Sequence, residues 1–289
     1  MGLRPRVDPY HLLQQAEPKP DAGSTGRLEA KARLRFTVAQ ALAQDRLIFR
    51  FQPVASTANL TFAAFHEMVA LVRLADGQVV PVDTFKSAIE GTEIGRTVDR
   101  FALRRALRIL EETPDLRLAV DVSPLSMGDA EWMDMLADFH ARCPNACGRL
   151  ILEIGEDAAV RDADLVNDFA RHVREMGPAF ALDNFGSGAT GFAHFRAFRF
   201  DMVKIGAAFC RDVHKCADTR VLLECLQRLA LQFEMFSVAQ GVECEADAAW
   251  LCDAGIDCIQ GPYFGKPSAR PKKPACPLSS GGERQDRSA

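Results

Sequence analysis

Phe180-Ala181-Leu182-Asp183-Asn184-Phe185-Gly186-Ser187-Gly188 reads as the end of a buried strand that opens into a glycine loop, with an acid beside an amide at the turning point. Upstream, Leu165, Phe169, Val173 and Met176 fall on one stripe of a helix that stops at Gly177, the residue type expected at a left-handed helix end. Downstream, Met202–Ile205 is again a short apolar run. Helix, strand, polar loop and strand in succession are the makings of a parallel sheet.

Working outward, eight strand candidates emerge: Leu47–Pro53, Phe65–Leu74, Leu116–Val122, Leu150–Ile154, Ala179–Asp183, Met202–Ile205, Met235–Ala239 and Asp257–Gln260. Helical segments separate most of them, and Glu245–Ala254, ending at Gly255, repeats the pattern of a helix closed by glycine. Eight units predict α/β architecture with a parallel sheet closed into a TIM-like (β/α)8 barrel, which commonly needs about 250 residues. A doubly wound open sheet is the alternative, and no internal sequence repeat is evident. Residues 1–32 and 269–289 are rich in Pro, Gly and polar side chains without apolar periodicity, so both are expected to be flexible, leaving 33–268 as the barrel. The N-terminal segment is too short and polar for a second regulatory domain, so input is expected to come from a ligand, a partner or expression level.

With 48% hydrophobic residues the chain can bury a large core, while its net charge of −4 includes no block of Lys and Arg. A duplex nucleic acid partner is therefore not expected. No apolar run approaches the ~18 residues of a bilayer span, and no signal core follows the N-terminus, so the expected location is cytoplasmic without membrane attachment. The nine cysteines are scattered, and Cys143 and Cys147 have no partnering Cys or His pair at ligand spacing, which predicts reduced thiols rather than zinc ligands.

In a barrel the chemistry gathers where strands end and loops begin. The polar residues there are Asp121, Glu153, Asp183, Asn184, Lys204, Gln240, Glu243 and Gln260. Any one of them has a bland explanation as a helix cap; their recurrence along successive strands is the functional signal.

These positions resemble the EAL-domain family, bacterial phosphodiesterases that linearise cyclic di-GMP, from about Leu34 to Pro267. Phe51-Gln52-Pro53 is similar to the family's opening strand, Asp121-Val122-Ser123-Pro124 to Asn-x-Ser-Pro, and Leu152-Glu153-Ile154-Gly155-Glu156 to Leu-Glu-Ile-Thr-Glu. Asp183 to Gly188 resembles Asp-Asp-Phe-Gly-Thr-Gly, Val203-Lys204-Ile205-Gly206 resembles Lys-Ile-Asp, and Ala239-Gln240-Gly241-Val242-Glu243 resembles Ala-Glu-Gly-Val-Glu. Gln260-Gly261-Pro262-Tyr263-Phe264 with Lys266-Pro267 closes the series. The name-giving motif has two readings. Counted back from Pro81-x-x-x-Phe85, Glu67-Met68-Val69 takes the Glu-Ala-Leu place and Leu71 replaces a phosphate-gripping arginine; counted by Ala70-Leu71-Val72-Arg73, Arg73 survives and Val69 replaces the glutamate. Glu67 and Val69 face the same way on a strand, and Glu67 is the slightly preferred reading.

Hydrolysis of a phosphodiester by water needs a nucleophile at neutral pH and compensation of phosphoryl charge, which two metal ions ~3.5–4 Å apart supply. By resemblance the metal ligands are Glu67, Asp121, Glu153 and Asp183, joined by Asn184 and Gln240 where the family has acids. Lys204 takes the place of the lysine that acts on the water, with Gln240, Glu243 and Gln260 beside it, and Gln52, Leu71 or Arg73, and Asn184 take the ligand-binding places. Asn184 and Gln240 keep the shape of the acids without their charge, Gly206 deletes another acid, and Asp121 stands where an asparagine is usual. Each lost carboxylate weakens metal attraction by several kcal/mol.

The expectation is a degenerate EAL-like domain holding at most one Mg or Mn ion, or none, that senses cyclic di-GMP or docks a protein partner. Weak metal-dependent hydrolysis is the alternative. A homodimer is a third expectation, through the loop after Asp183 and the helix after Lys204, where Phe192, His194, Phe195, Phe198 and Phe200 offer an aromatic surface if they do not pack inward.

Overall fold

In the computed structural model, residues 25–186 and 200–274 are described. The strands are β1 (Leu47–Ser56), β2 (Asn59–Arg73), β3 (Val79–Pro81), β4 (Leu118–Asp121), β5 (Leu150–Gly155), β6 (Ala179–Phe185), β7 (Met202–Ile205), β8 (Phe236–Ala239) and β9 (Cys258–Gln260). The longer helices among the described residues are α1 (Thr25–Ala43), α2 (Glu93–Glu112), α3 (Ala130–Arg142), α4 (Ala163–Arg174), α5 (Ala217–Gln232) and α6 (Glu245–Asp253). The first described helix begins ahead of the expected barrel start at 33. Gly177 and Gly255, beyond α4 and α6, have φ of +104° and +79°, the left-handed conformation that glycine adopts without a Cβ penalty.

The chain divides into two compact units. The first draws on the described parts of Met1–Arg50, Met68–Ile154 and Arg161–Ala179. Here α1 buries Val38, Ala39, Ala41 and Leu42 in a cluster with Val72, Val82, Phe85, Ile89, Ile94 and Val98. The N-cap of α2 is Thr92, and Gly95 is required because a Cβ there would lie 2.6 Å from Ile89 O. β4 and β5 pair in parallel, Leu118 opposite Leu150 and Asp121 opposite Glu153. Trp132 of α3 packs on Phe169 of α4 with ring centroids 5.4 Å apart.

The second unit comprises Phe51–Glu67, Gly155–Val160 and the described part of Phe180–Ala289. Its strand order is β1-β9-β8-β7-β6. A core of Ala55, Ile205, Cys210, Leu223, Val242, Leu251, Ile259 and Phe264 underlies it.

The sheet is not parallel throughout, contrary to expectation. Pairs β6–β7, β7–β8 and β8–β9 are parallel, whereas β1 runs antiparallel to β9, with Val54 opposite Gln260, and β2 runs antiparallel to β3. The cause is local: β1 and β2 pair directly and are joined only by the turn Thr57-Ala58, too short for the crossover that parallel neighbours need. Thr57 fastens that turn, its Oγ1 donating to Ile256 O at 2.6 Å. The short β3 was not anticipated.

Candidate functional site

The second unit gathers seven of the expected site residues, Asn184 beside Asp183 among them, into one hydrogen-bonded cluster. Asp183 comes from β6, Lys204 from β7, Gln260 from β9, and Gln240 from the residue after β8, all at the C-terminal ends of parallel strands. Glu67 comes from β2 and Gln52 from β1.

Lys204 is the centre. Its side chain has no solvent exposure, and its Nζ lies 2.7 Å from Glu67 Oε2 and 3.2 Å from Asp183 Oδ1. A buried ammonium is costly unless paired, and two carboxylates supply the pairing. Gln260 Nε2 donates to the same Glu67 Oε2 at 2.6 Å and makes a longer 3.4 Å contact to Gln52 Oε1. Gln52 in turn donates to Gly265 O at 3.1 Å.

Asp183 is surrounded by donors. Besides Lys204, its Oδ1 accepts from Gln240 Nε2 at 3.0 Å and its Oδ2 from Asn184 Nδ2 at 2.5 Å. Neighbours on a regular strand face opposite ways, so the last contact needs an irregularity. It is present: the β6–β7 register shifts between Leu182 and Phe185, and Asn184 adopts φ +57°, a left-handed conformation that Asn tolerates. Gln240 Oε1 and Gln260 Oε1 are buried and have no hydrogen-bond partner among the described residues.

Two carboxylates and one ammonium give this cluster a formal charge of −1. By itself this cluster offers two carboxylates, few for a pair of divalent cations. Such ions take several oxygen ligands rich in carboxylate; here both amides turn N–H groups toward Asp183, which leaves the buried Gln240 carbonyl as a further oxygen without charge. The ammonium between Glu67 and Asp183 neutralises one of the two carboxylate charges.

The remaining expected residues lie elsewhere. Asp121 and Glu153 are register partners at the ends of β4 and β5 in the first unit, Asp121 exposed and Glu153 only 1% exposed. Leu71 is buried, Val69 is half-buried and Arg73 is exposed at the end of β2. Glu243 does not join the cluster: it is half exposed and pairs with Arg211 Nη2 at 2.7 Å. The deleted acid at Gly206 leaves room, because a Cβ there would meet Phe185 O at an ordinary 3.5 Å. Of the expected aromatic surface, Phe200 is buried, and Phe192, His194, Phe195 and Phe198 lie outside the described residues. Sequence reasoning missed a cluster of His214, Cys244 and Asp247 in the same unit. Cys244 and Asp247 are three residues apart, but His214 lies 33 residues before Asp247, beyond the reach of a short spacing rule.

Polar groups converging at the carboxyl ends of parallel strands are the arrangement by which α/β barrels bind or transform ligands. The EAL domain profile matches residues 36–267. The chain belongs to the EAL domain family. It is 27% identical over 252 residues to the cyclic di-GMP phosphodiesterase NbdA of Pseudomonas aeruginosa, covering 84% of this chain and 31% of NbdA. The chain spans roughly three-tenths of the length of the curated relatives it matches. Among solved structures, the MucR phosphodiesterase in complex with c-di-GMP superposes with a TM-score of 0.71 at 24% identity, over 84% of this chain and 98% of that one. The FimX EAL domain of Pseudomonas aeruginosa, bound to c-di-GMP, gives 0.71 at 22% identity over 84% and 97%. The fold class is thus the TIM-like (β/α)8 barrel of EAL domains. No described helix is long and apolar enough to cross a membrane.

Proposed function

We propose that this EAL domain is a non-catalytic receptor for cyclic di-GMP in bacterial signalling. One observation carries the reading: the Asp183 carboxylate is occupied by three N–H donors, from Lys204, Gln240 and Asn184, where phosphodiester hydrolysis would call for cations. Asp121 and Glu153 are the further carboxylates that family resemblance assigns to metal, and they support one Mg or Mn ion at most.

The same features favour a bound nucleotide. A cluster of formal charge −1 repels the phosphates of an anionic dinucleotide less than a set of bare carboxylates would. The unpartnered carbonyls of Gln240 and Gln260 are acceptors that a ligand or ordered water can satisfy. Gln52, Arg73 and Asn184 are the proposed ligand contacts, with Leu71 replacing Arg73 in the other reading of the strand.

Calorimetric titration with cyclic di-GMP, with and without magnesium, tests binding, and a turnover assay with magnesium or manganese tests chemistry. Binding that does not need the metal, with no linear product, is the expected result. Silence in both titrations removes the receptor role and leaves docking of a protein partner. Product that forms and is lost in Glu153→Ala reassigns the domain as an active phosphodiesterase.

A further inference from the structure

The cluster of His214, Cys244 and Asp247 is separate in composition from the Lys204 site. His214 lies in the turn that follows the short helix Ala207–Cys210, Cys244 immediately precedes α6, and Asp247 sits in the first turn of α6. Their candidate ligand atoms all lie within 4.8 Å of one another.

Asp247 has an evident structural task. Its side chain is 2% exposed and accepts from two backbone N–H groups of the facing turn, Asp212 N at 3.0 Å and His214 N at 3.2 Å. Those bonds hold the carboxylate in place. The imidazole and the thiol are not needed for that clasp, yet both converge on it: His214 Nδ1 lies 2.6 Å from Oδ1, and Cys244 Sγ lies 3.3 Å from Oδ2. The result is an imidazole nitrogen against one carboxylate oxygen and a thiol sulfur against the other, the candidate ligand atoms lying within 4.8 Å of one another, with the carboxylate oriented by main-chain donors in the way that outer hydrogen bonds orient metal ligands.

We propose that His214, Cys244 and Asp247 form a binding site for a zinc-class divalent ion. A mixed imidazole, thiolate and carboxylate set is borderline-soft and tetrahedral in preference, which selects zinc over magnesium or calcium. With bonds of ~2.0–2.3 Å, tetrahedral ligand atoms stand roughly 3.3–3.8 Å apart. The sulfur-to-carboxylate separation already meets that spacing, and the imidazole must back away from Asp247 by less than about 1 Å. Binding displaces the thiol proton to solvent, and the imidazole presents the Nδ1 lone pair with its proton on Nε2. His214 is 26% exposed and Cys244 is half-buried, so a water can complete the fourth position. The nearby ammonium of Lys215 is tied to Asp212 at 2.7 Å and so does not oppose the ion with an unpaired charge.

Titration of the full chain with cobalt(II), in a reducing phosphine buffer free of chelators, tests the site. The expected result is one cobalt per chain with an intense thiolate-to-cobalt absorption band and tetrahedral visible bands, all displaced by zinc. Cys244→Ser abolishes the thiolate band, His214→Ala weakens or abolishes the tetrahedral bands, and Cys216→Ser leaves both intact. The serine variant is expected to fold, because Ser is a favoured N-cap and its hydroxyl can donate to Asp247 as the thiol does; an unchanged thermal melt verifies this. Absence of the band at equimolar cobalt, or its survival in a folded Cys244→Ser chain, overturns the proposal.

Discussion

Lys204 lies between two carboxylates with no access to water. A buried charge that loses its partner is far more costly than a pair replaced whole, so removing the ammonium strands Glu67 and Asp183 together. Lys204→Met is expected to destabilise the fold by about 3–5 kcal/mol in urea denaturation. A loss below ~1 kcal/mol, the range of exposed ion pairs, would mean that the ammonium does not neutralise these acids. The amides make the complementary case. Asn184→Asp combined with Gln240→Glu converts two donors facing Asp183 into acceptors, so three carboxylates crowd one point. The double variant is expected to melt at a lower temperature than the parent in chelator and to regain stability as magnesium is added, while the parent responds little. Equal magnesium responses in both chains would show that these amides do not govern metal binding here.

At the scale of elements, glycines and caps divide into replaceable and irreplaceable positions. Gly261 follows β9 where a Cβ would sit 2.0 Å from Val242 O and 2.3 Å from Val242 N, so Gly261→Ala must displace backbone. Gly206 precedes a short helix and a Cβ there meets only ordinary contacts. Gly206→Ala is therefore expected to fold with near-parental stability, and Gly261→Ala to lose several kcal/mol or fail to accumulate as folded protein. Asp129, the N-cap of α3, accepts from Arg100, with the Nη2 contact at 2.6 Å. Burial alone would raise its pKa, but the hydrogen bonds and charge of Arg100 outweigh burial and hold it below the usual carboxylate range. A depressed folded value gives stability that is fully present above the unfolded value of ~3.9 and is lost as pH falls through the folded one. Asp129→Asn is expected to cost about 2 kcal/mol at neutral pH, with the gap to the parent closing in acid; a gap independent of pH would refute the ion pair as its source. Strands β4 to β9 were legible from short apolar runs to within a few residues. The β1–β2 hairpin was not, because Thr57-Ala58 contains neither Gly, Asn, Asp nor Pro to announce a turn. The members of the Lys204 cluster were legible as strand-end residues, but which amide hydrogen faces which carboxylate depends on a register shift and a positive φ that no pattern encodes. Glu243 shows the reverse: its motif position suggested chemistry, and a surface ion pair with Arg211 claims it.

At the scale of the whole chain, the cysteines report on how the fold opens. Burial pushes the thiol of Cys147 up to about 11 and those of Cys210 and Cys258 up to about 12, so all three are protonated and shielded near neutral pH. Cys216 and Cys225 are exposed, and hydrogen bonds from Thr219 draw the Cys216 thiol below its ordinary value. Because the thiolate is the reactive form, alkylation of the native protein is expected to mark Cys216 and Cys225 first among the described cysteines, with Cys216 the faster of the two. The three buried thiols become reactive only through opening, which makes their relative rates informative. Cys147 belongs to one compact unit, and Cys210 and Cys258 belong to the other. Strands β1, β2 and β5 each contribute residues to both units, so neither unit can lose its strands without taking chain from the other. All three buried cysteines are therefore expected to label with one rate constant in mild denaturant, measured by mass spectrometry of the digested protein, as one cooperative transition requires. A faster rate at Cys147 alone, or at Cys210 and Cys258 together, would show that the units open separately.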